Sequence, residues 1–331
     1  MTTENSLQAK LTTIAAFPVN YFLENLAVRS DNSVLITAVN RRELWYVPPP
    51  TAIERVQPIL LHTFEQLTMS LNEVETNLFY LATSNIYTDH KSSLHRIDLR
   101  NWKAGDPVQT QKVLDFPKEA GALNGSCLIG PRVILIADSI AGLIWRIDLP
   151  ENGGTPAVRV WLRHESMAYY PGQMKPEQPG INGIHYALGS GYLYYTATAK
   201  KLFMRVRVNP ETLEAAGEPE HVSVGRMADD FCIDERAGVA YVTTHRENTI
   251  DCVSLDPPKN NVRFVVAGEP LNEELVGPSS AAWGRLRGDY GKVAYVITDG
   301  GAASPPPDGV QRPARLLLVE FPEVPAPLSR K

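Results

Sequence analysis

Cysteine is scarce: Cys127, Cys232 and Cys252 are the only three in 331 residues, and none falls in a CxxC spacing. Neither a disulfide framework nor a CxxC-based site is expected, and the thiols should be reduced and mostly buried. The chain also lacks any apolar run of about 18 residues, so no membrane span is expected. It has no long Lys/Arg block, and 32 basic against 37 acidic residues give a formal net charge of -5. A nucleic-acid partner, whose phosphates require a basic face, is not implied. The opening MTTENSLQAK lacks the basic-then-apolar pattern of a secretory signal, which makes a cytoplasmic protein the expectation. Helical periodicity is missing as well. The nearest candidate, LNEVETN (Leu71 to Asn77), is too short.

What is present is a repeat. The stretch Gly180 to Val208, GINGIHYALGSGYLYYTATAKKLFMRVRV, holds an Asn-Gly step, a short apolar strand, a turn, an aromatic strand, another turn and a third strand. The phrase recurs about every 50 residues. Its second strands are VLITAV (34–39), LFYLAT (78–83), VILIAD (133–138), YLYYTA (192–197), VAYVTT (239–244) and VAYVIT (293–298). Third strands follow in all six units, from LWYV to RLLLVEF (315–321). Fourth strands fit after the first five units, whereas the sixth ends in proline-rich VPAPLSRK. The orphan strand LTTIAAFP (11–18) supplies the missing one. The sequence thus predicts an all-β fold: a six-bladed β-propeller of four-stranded blades over residues 1–331, one domain, with the last blade closed by the N-terminal strand. Closure protects the strand edges.

Counting back twelve positions from the middle of each second strand reaches one equivalent residue at the head of each innermost strand. The series reads Glu24, Thr68, Asn124, Asn182, Asp229 and Ser279. Innermost strands surround the central channel, so this polar ring converges near the axis, and such groups need partners when buried. One partner is a hard divalent cation, for which Glu24, Asn182 and Asp229 supply oxygens. The other possibility is hydrogen bonding to backbone and channel water. Three residues further on, the series reads Ala27, Leu71, Cys127, His185, Cys232 and Ala282. Packing is the favoured reading there, with His185 as a polar contact in the channel.

The phrases ENLAVRS with VLIT, LNGSCL with ILIADS, INGIHYA with YLYYT, and ADDFCID with AYVTT resemble the SMP-30/gluconolactonase family over nearly the whole chain. The resemblance implies a six-bladed propeller with a divalent ion held by Glu24, Asn182 and Asp229, and Asn124 as a substrate-facing neighbour. Two departures stand out. The family's Asp-Gly step at the fifth head is Asp229-Asp230 here, and Glu24 lies in LENLA rather than Gly-Glu-Gly-Pro. ENLAVRS and GPSSAAWGR (277–285) are similar to a fungal branch of the fold that includes hetero-Diels-Alderases, which join a tropolone-derived quinone methide to a humulene-type sesquiterpene.

In such propellers the loops from second to third strand, and from fourth to next first strand, open on the face of the blade heads. That places Tyr87, Asp89, His90, Asp138, Ser139, His164, Tyr169, Tyr170, His245 and Arg246 around one funnel, with the connection 163–180 as a lid. Tyr87, His90, Asn124, Asp138, Tyr169 and Tyr170 are the candidate substrate contacts.

Two chemistries fit. In the first, a pericyclase orients an apolar terpene against an aromatic tropolone partner. His185, Asn182, His245 or Arg246 hydrogen-bonds the heterodiene oxygen, and no cofactor is needed. In the alternative, a divalent cation (Ca, Mg or Zn) at Glu24, Asn182 and Asp229 supports lactone hydrolysis, with Asp229 or Asp230 as base. A non-enzymatic binding propeller is disfavoured, because the units lack GH and WD signatures.

Overall fold

A computed structural model of the chain describes residues 8–50, 55–151, 153–170, 178–256, 263–269 and 275–323. Short runs rich in β-branched and aromatic residues, each ended by turn residues, form strands throughout. The outlying β1 (Lys10–Val19) comes first. Blade 1 then contains β2 (Leu23–Val28), β3 (Val34–Ala38), β4 (Glu43–Val47) and β5 (Ile59–Thr63). Blade 2 contains β6 (Leu67–Glu75), β7 (Leu78–Ser84), β8 (Ser92–Asp98) and β9 (Gln109–Asp115). Blade 3 contains β10 (Leu123–Gly130), β11 (Val133–Asp138), β12 (Leu143–Asp148) and β13 (Ala157–Arg163). Blade 4 contains β14 (Ile181–Ala187), β15 (Tyr192–Ala197), β16 (Leu202–Arg207) and β17 (Glu220–Val224). Blade 5 contains β18 (Phe231–Asp234), β19 (Val239–Thr244), β20 (Thr249–Ser254) and β21 (Arg263–Gly268). Blade 6 contains β22 (Pro278–Trp283), β23 (Val293–Thr298) and β24 (Pro313–Glu320), with β1 outermost. The expected six-bladed propeller, closed by the N-terminal strand, is the fold.

The innermost strands β2, β6, β10, β14, β18 and β22 touch in that order, and β22 meets β2 to close the ring. The first hairpins turn on left-handed residues, one each in blades 1 to 5 (Asn32, Asn77, Arg132, Gly191 and Gly238) and two in blade 6 (Gly288 and Gly291). Apolar side chains fill the spaces between blades. Leu135, Trp161, Ile184, Tyr195 and Met204, for example, form one cluster across blades 3 and 4. The core therefore lies around the axis, and the axis itself is left to polar groups. Leu71 to Asn77 belongs to β6 and its turn. Among the described residues, no helix is long and apolar enough to cross a membrane.

β1 pairs antiparallel with β24 from Lys10 opposite Glu320 to Val19 opposite Pro313. The strand continues past Pro18, where proline is tolerated because an outermost strand has no further neighbour to bond. Ala15 and Phe17 are buried, and the Phe17 ring meets Trp45 edge-on at 5.4 Å. Phe17→Ala should lower unfolding free energy in urea by about 3 kcal/mol. Lys10→Ala, which removes only an exposed pair with Glu320, should change it by less than about 0.5 kcal/mol. Equal effects would show that β1 is not a packed part of blade 6.

Candidate functional site

The site is built by a defect repeated around the ring. Pairing of the first two strands slips by one residue between Leu23 and Leu26, Thr68 and Leu71, Leu123 and Ser126, Ile181 and Ile184, and Pro278 and Ser280. Such bulges bend a strand and re-aim its side chains. Here they set two successive residues at each head: Glu24-Asn25, Asn124-Gly125, Asn182-Gly183 and Ser279-Ser280. Blade 5 brings Asp229-Asp230 to the same place through Asp229 N to Thr243 O and Thr243 N to Asp230 O.

Threonines on the second strands fasten these heads to one another. Thr37 Oγ1 accepts from Asn25 N (3.0 Å) and donates to Met69 O of the next blade (3.1 Å). Thr196 accepts from Gly183 N and donates to Asp229 O. Thr243 accepts from Asp230 N and donates to Ser279 O. Each of VLITAV, YLYYTA and VAYVTT carries a threonine near its end, but only the pairing shows that Thr37, Thr196 and Thr243 are equivalent and what they do.

One head expected from the sequence is displaced. Thr68 pairs with Thr83 as Leu23 pairs with Ala38, so the equivalent of Glu24 is Met69. A second slip between Glu73 and Glu75 lengthens β6 and upsets the count. The ring is therefore not wholly polar, and the residue three further on in blade 2 is Asn72, not Leu71.

Glu24, Asn124, Asn182 and Asp229 are all buried. Burial pushes the Glu24 carboxyl well above the usual range and Asp229 adds to the push, while a hydrogen bond from Asn124 opposes it. Burial likewise raises Asp229 to about 7, with Asp230 and Asp299 adding to the rise and His245 and Arg246 opposing it. Asn182 spends its amide donor on Thr198 Oγ1 (3.1 Å). Glu24 Oε2 is shielded from solvent and has no partner among the described residues. Two carboxylates and two amides facing a restricted space, one oxygen being orphaned, fit a hard cation that takes oxygen ligands. Among the described residues no cluster of three His, Cys, Asp or Glu side chains has metal-binding geometry, so the amides would have to be part of any such set.

His245 lies beside this group. Its ring stacks flat on Phe22, with centroids 5.5 Å apart. Nε2 is 3.1 Å from Asp299 Oδ2 and Nδ1 is 3.9 Å from Asp229 Oδ2. Burial pulls the imidazole down, but the Asp299 and Asp229 charges outweigh it and raise its pKa. Asp299 is fixed by the N–H groups of Gly301 (2.7 Å) and Ala303 (2.8 Å). Gly277, at φ +66°, is obligatory beside it, because a Cβ there would overlap Asp299 Oδ1. Arg246 donates through Nη1 to Ala303 O, and its guanidinium faces the charges of Asp299 and Asp229. Asp299 and Phe22 were not anticipated. Asp299 opens the long loop 298–313, and nothing in that stretch marks it as buried.

His185 is placed away from the ring. It lines a cavity of about 370 Å³ with Leu26, Asn72, Ser126, Cys127 and Arg285, formed by the far halves of the innermost strands. Its Nε2 contacts Asp230 Oδ1 at 2.9 Å. The cysteines are free and buried, and burial raises all three thiols, Cys252 to about 12.

The remaining candidates separate. Asp138 is fully buried and accepts from Gly121 N, Ala122 N, Ala141 N and Trp145 Nε1. It is a clip for two loops, and its oxygens are spent on them. Tyr87 is 83% exposed. His90 lines a cleft of about 1140 Å³ between blades 1 and 2 with His62, Phe64 and His95, rather than the funnel. Tyr170 lies under Lys200 Nζ, 5.2 Å from the ring centre, and Tyr169 is half-buried beside it. Part of the expected lid, residues 171–177, lies outside the described residues.

No protein-family model matches the sequence, and no curated protein sequence matches it. Solved structures do match. A luciferin-regenerating enzyme aligns at TM-score 0.68 and 12% identity over 96% of each chain. The likeness is one of fold. A calcium-binding regucalcin from Agrobacterium tumefaciens aligns at TM-score 0.60 and 15% identity, over 96% of this chain and 98% of that one. A gluconolactonase from Xanthomonas campestris aligns at TM-score 0.63 and 10% identity, over 95% and 90%. The structural neighbours thus include SMP-30/gluconolactonase-type propellers, which share the fold that the sequence phrases implied.

The acid ring has a pH signature. A carboxyl raised from about 4 to about 7 on folding contributes stability that is complete below about pH 4 and is lost as pH rises through 7. The raised His245 acts in the same direction. Chelator-treated protein should lose roughly 2–3 kcal/mol between pH 5 and pH 8 in urea titrations, at about 1.4 kcal/mol per pH unit. Asp229→Asn should flatten the slope. Stability that rises over this window would contradict the assignment.

Proposed function

We propose that the protein is a divalent-cation-dependent hydrolase of a cyclic ester, working at the ring of Glu24, Asn124, Asn182 and Asp229. One observation carries the reading: Glu24 and Asp229 are buried together, Asp229 raises the proton affinity of Glu24, and Glu24 Oε2 has no partner among the described residues. Like charges in so small a space are costly without a counter-charge. The likeness in fold to gluconolactonase and regucalcin structures supports the same reading.

Glu24 and Asp229 would hold the cation with the Asn124 and Asn182 oxygens. When bound, a divalent cation polarises a carbonyl and acidifies water. His245, stacked on Phe22 and paired with Asp299, would exchange a proton with Asp229 through a bridging water, since 3.9 Å is too long for a direct hydrogen bond. Arg246 adds a fixed positive charge beside them.

The cycloaddition reading draws less support from this geometry. Of its four polarising groups, Asn182 and His245 lie at the blade heads, whereas His185 lines the far cavity and is engaged by Asp230. Arg246 is directed to Ala303 O.

Chelated protein resupplied with Ca²⁺, Mg²⁺, Mn²⁺ or Zn²⁺ should hydrolyse a sugar-derived lactone in a pH-stat assay. Glu24→Gln and Asp229→Asn should each lower kcat by about 100-fold. Inert lactones, together with metal-independent coupling of a quinone-methide precursor to humulene, would reverse the preference in favour of the pericyclase.

A further inference from the structure

We propose that Asp230 is a charged floor beneath the ring, a fixed carboxylate that raises the ring's affinity for a divalent cation. The inference rests on the reading of the ring as a cation site.

The second residue of each head pair forms a layer of its own: Asn25, Ser70, Gly125, Gly183, Asp230 and Ser280. Asp230 is its one ionisable member. Gly183 opens the space that Asp230 fills, and Gly125 lets blade 3 approach the backbone of blade 4. A Cβ at Gly125 would lie 2.6 Å from Asn182 O, and one at Gly183 would overlap Asp230 Oδ1. The carboxylate therefore reaches out of blade 5 across the backbone that follows Asn182.

It is also locked there. Asp230 Oδ1 accepts from His185 Nε2 of blade 4 (2.9 Å), and Oδ2 accepts from Ser280 Oγ of blade 6 (2.5 Å). Its own N–H donates to Thr243 Oγ1 (3.1 Å). Both oxygens are held by donors from neighbouring blades. His185, the one imidazole in its series, thus acts as a positioning residue for Asp230. The carboxylate borders the ring directly, since Asp230 follows Asp229 in the chain and its Oδ1 lies where a Cβ on Gly183, the residue after Asn182, would fall. A field that repels two carboxylates attracts a cation placed between them. Oxygen-ligand sites are tuned by charge count and rigidity, and Asp230 adds to both without being one of the four head residues.

Chelated full-length protein is titrated with Ca²⁺ by calorimetry, and Tm is measured without metal. Asp230→Asn should bind Ca²⁺ at least about tenfold more weakly. Its metal-free Tm should be equal or higher, because a repelling charge has been removed. A merely structural residue would instead lower Tm and leave the affinity of the folded protein unchanged, and that pair of results overturns the proposal. If Asp230→Asn does not fold, Asn25→Asp puts a second carboxylate in the same layer and should tighten Ca²⁺ binding at least about threefold. Unchanged or weaker binding overturns the proposal. Wild-type protein that binds none of Ca²⁺, Mg²⁺ or Zn²⁺ overturns the cation ring itself, a separate result because it is read on the unmutated chain.

Discussion

Repulsion among carboxylates near the propeller axis is the constraint on which the other features depend. Glu24, Asp229, Asp230 and Asp299 are all buried, and each of the last three raises Glu24. Left to itself such a group would open up or take up protons. It is held instead by rigid backbone: bulged strand heads, threonines bonded across blade boundaries, and a loop wrapped on Asp299. Arg246, and His245 when protonated, offset part of the charge.

Rigidity at the axis is borrowed from the periphery. The apolar clusters lie between blades, so the position of each head is set by how its sheet packs on two neighbours. Blade 6 is complete only when β1 joins β24. Ser279, at the head of that blade, donates to Leu23 O of blade 1 and so links the last head to the first. Closure of the ring and placement of Glu24 are therefore one structural event, although β1 lies at the far edge of its blade.

The sequence made the architecture legible because strands of period two, separated by turn residues, repeat six times with little insertion. It located five of the six heads for the same reason. Met69 escaped because an extra residue in β6 cannot be counted without the pairing partner. Asp138 was misread because an acid following a second strand looks the same whether it faces a funnel or gathers N–H groups from its own loops. His90 sits on an expected loop, but that loop stands over the cleft between blades 1 and 2. Asp299 and Phe22 were invisible because their roles come from His245, which is distant in sequence and meets them only in the folded ring.

Site electrostatics also bear on which chemistry suits this axis. A catalyst that only aligns two apolar partners gains nothing from buried like charges, which lower its stability near neutral pH and attract water into the space an apolar ligand must fill. A site that holds a cation converts the same repulsion into affinity, since each carboxylate that destabilises the empty ring stabilises the filled one. Asp230 moves the balance further that way: it adds charge, takes up space, and is held by His185 and Ser280. A polar ring needed only for packing would be under pressure to lose such a residue. Its burial between two donors is what a tightly held cation would reward.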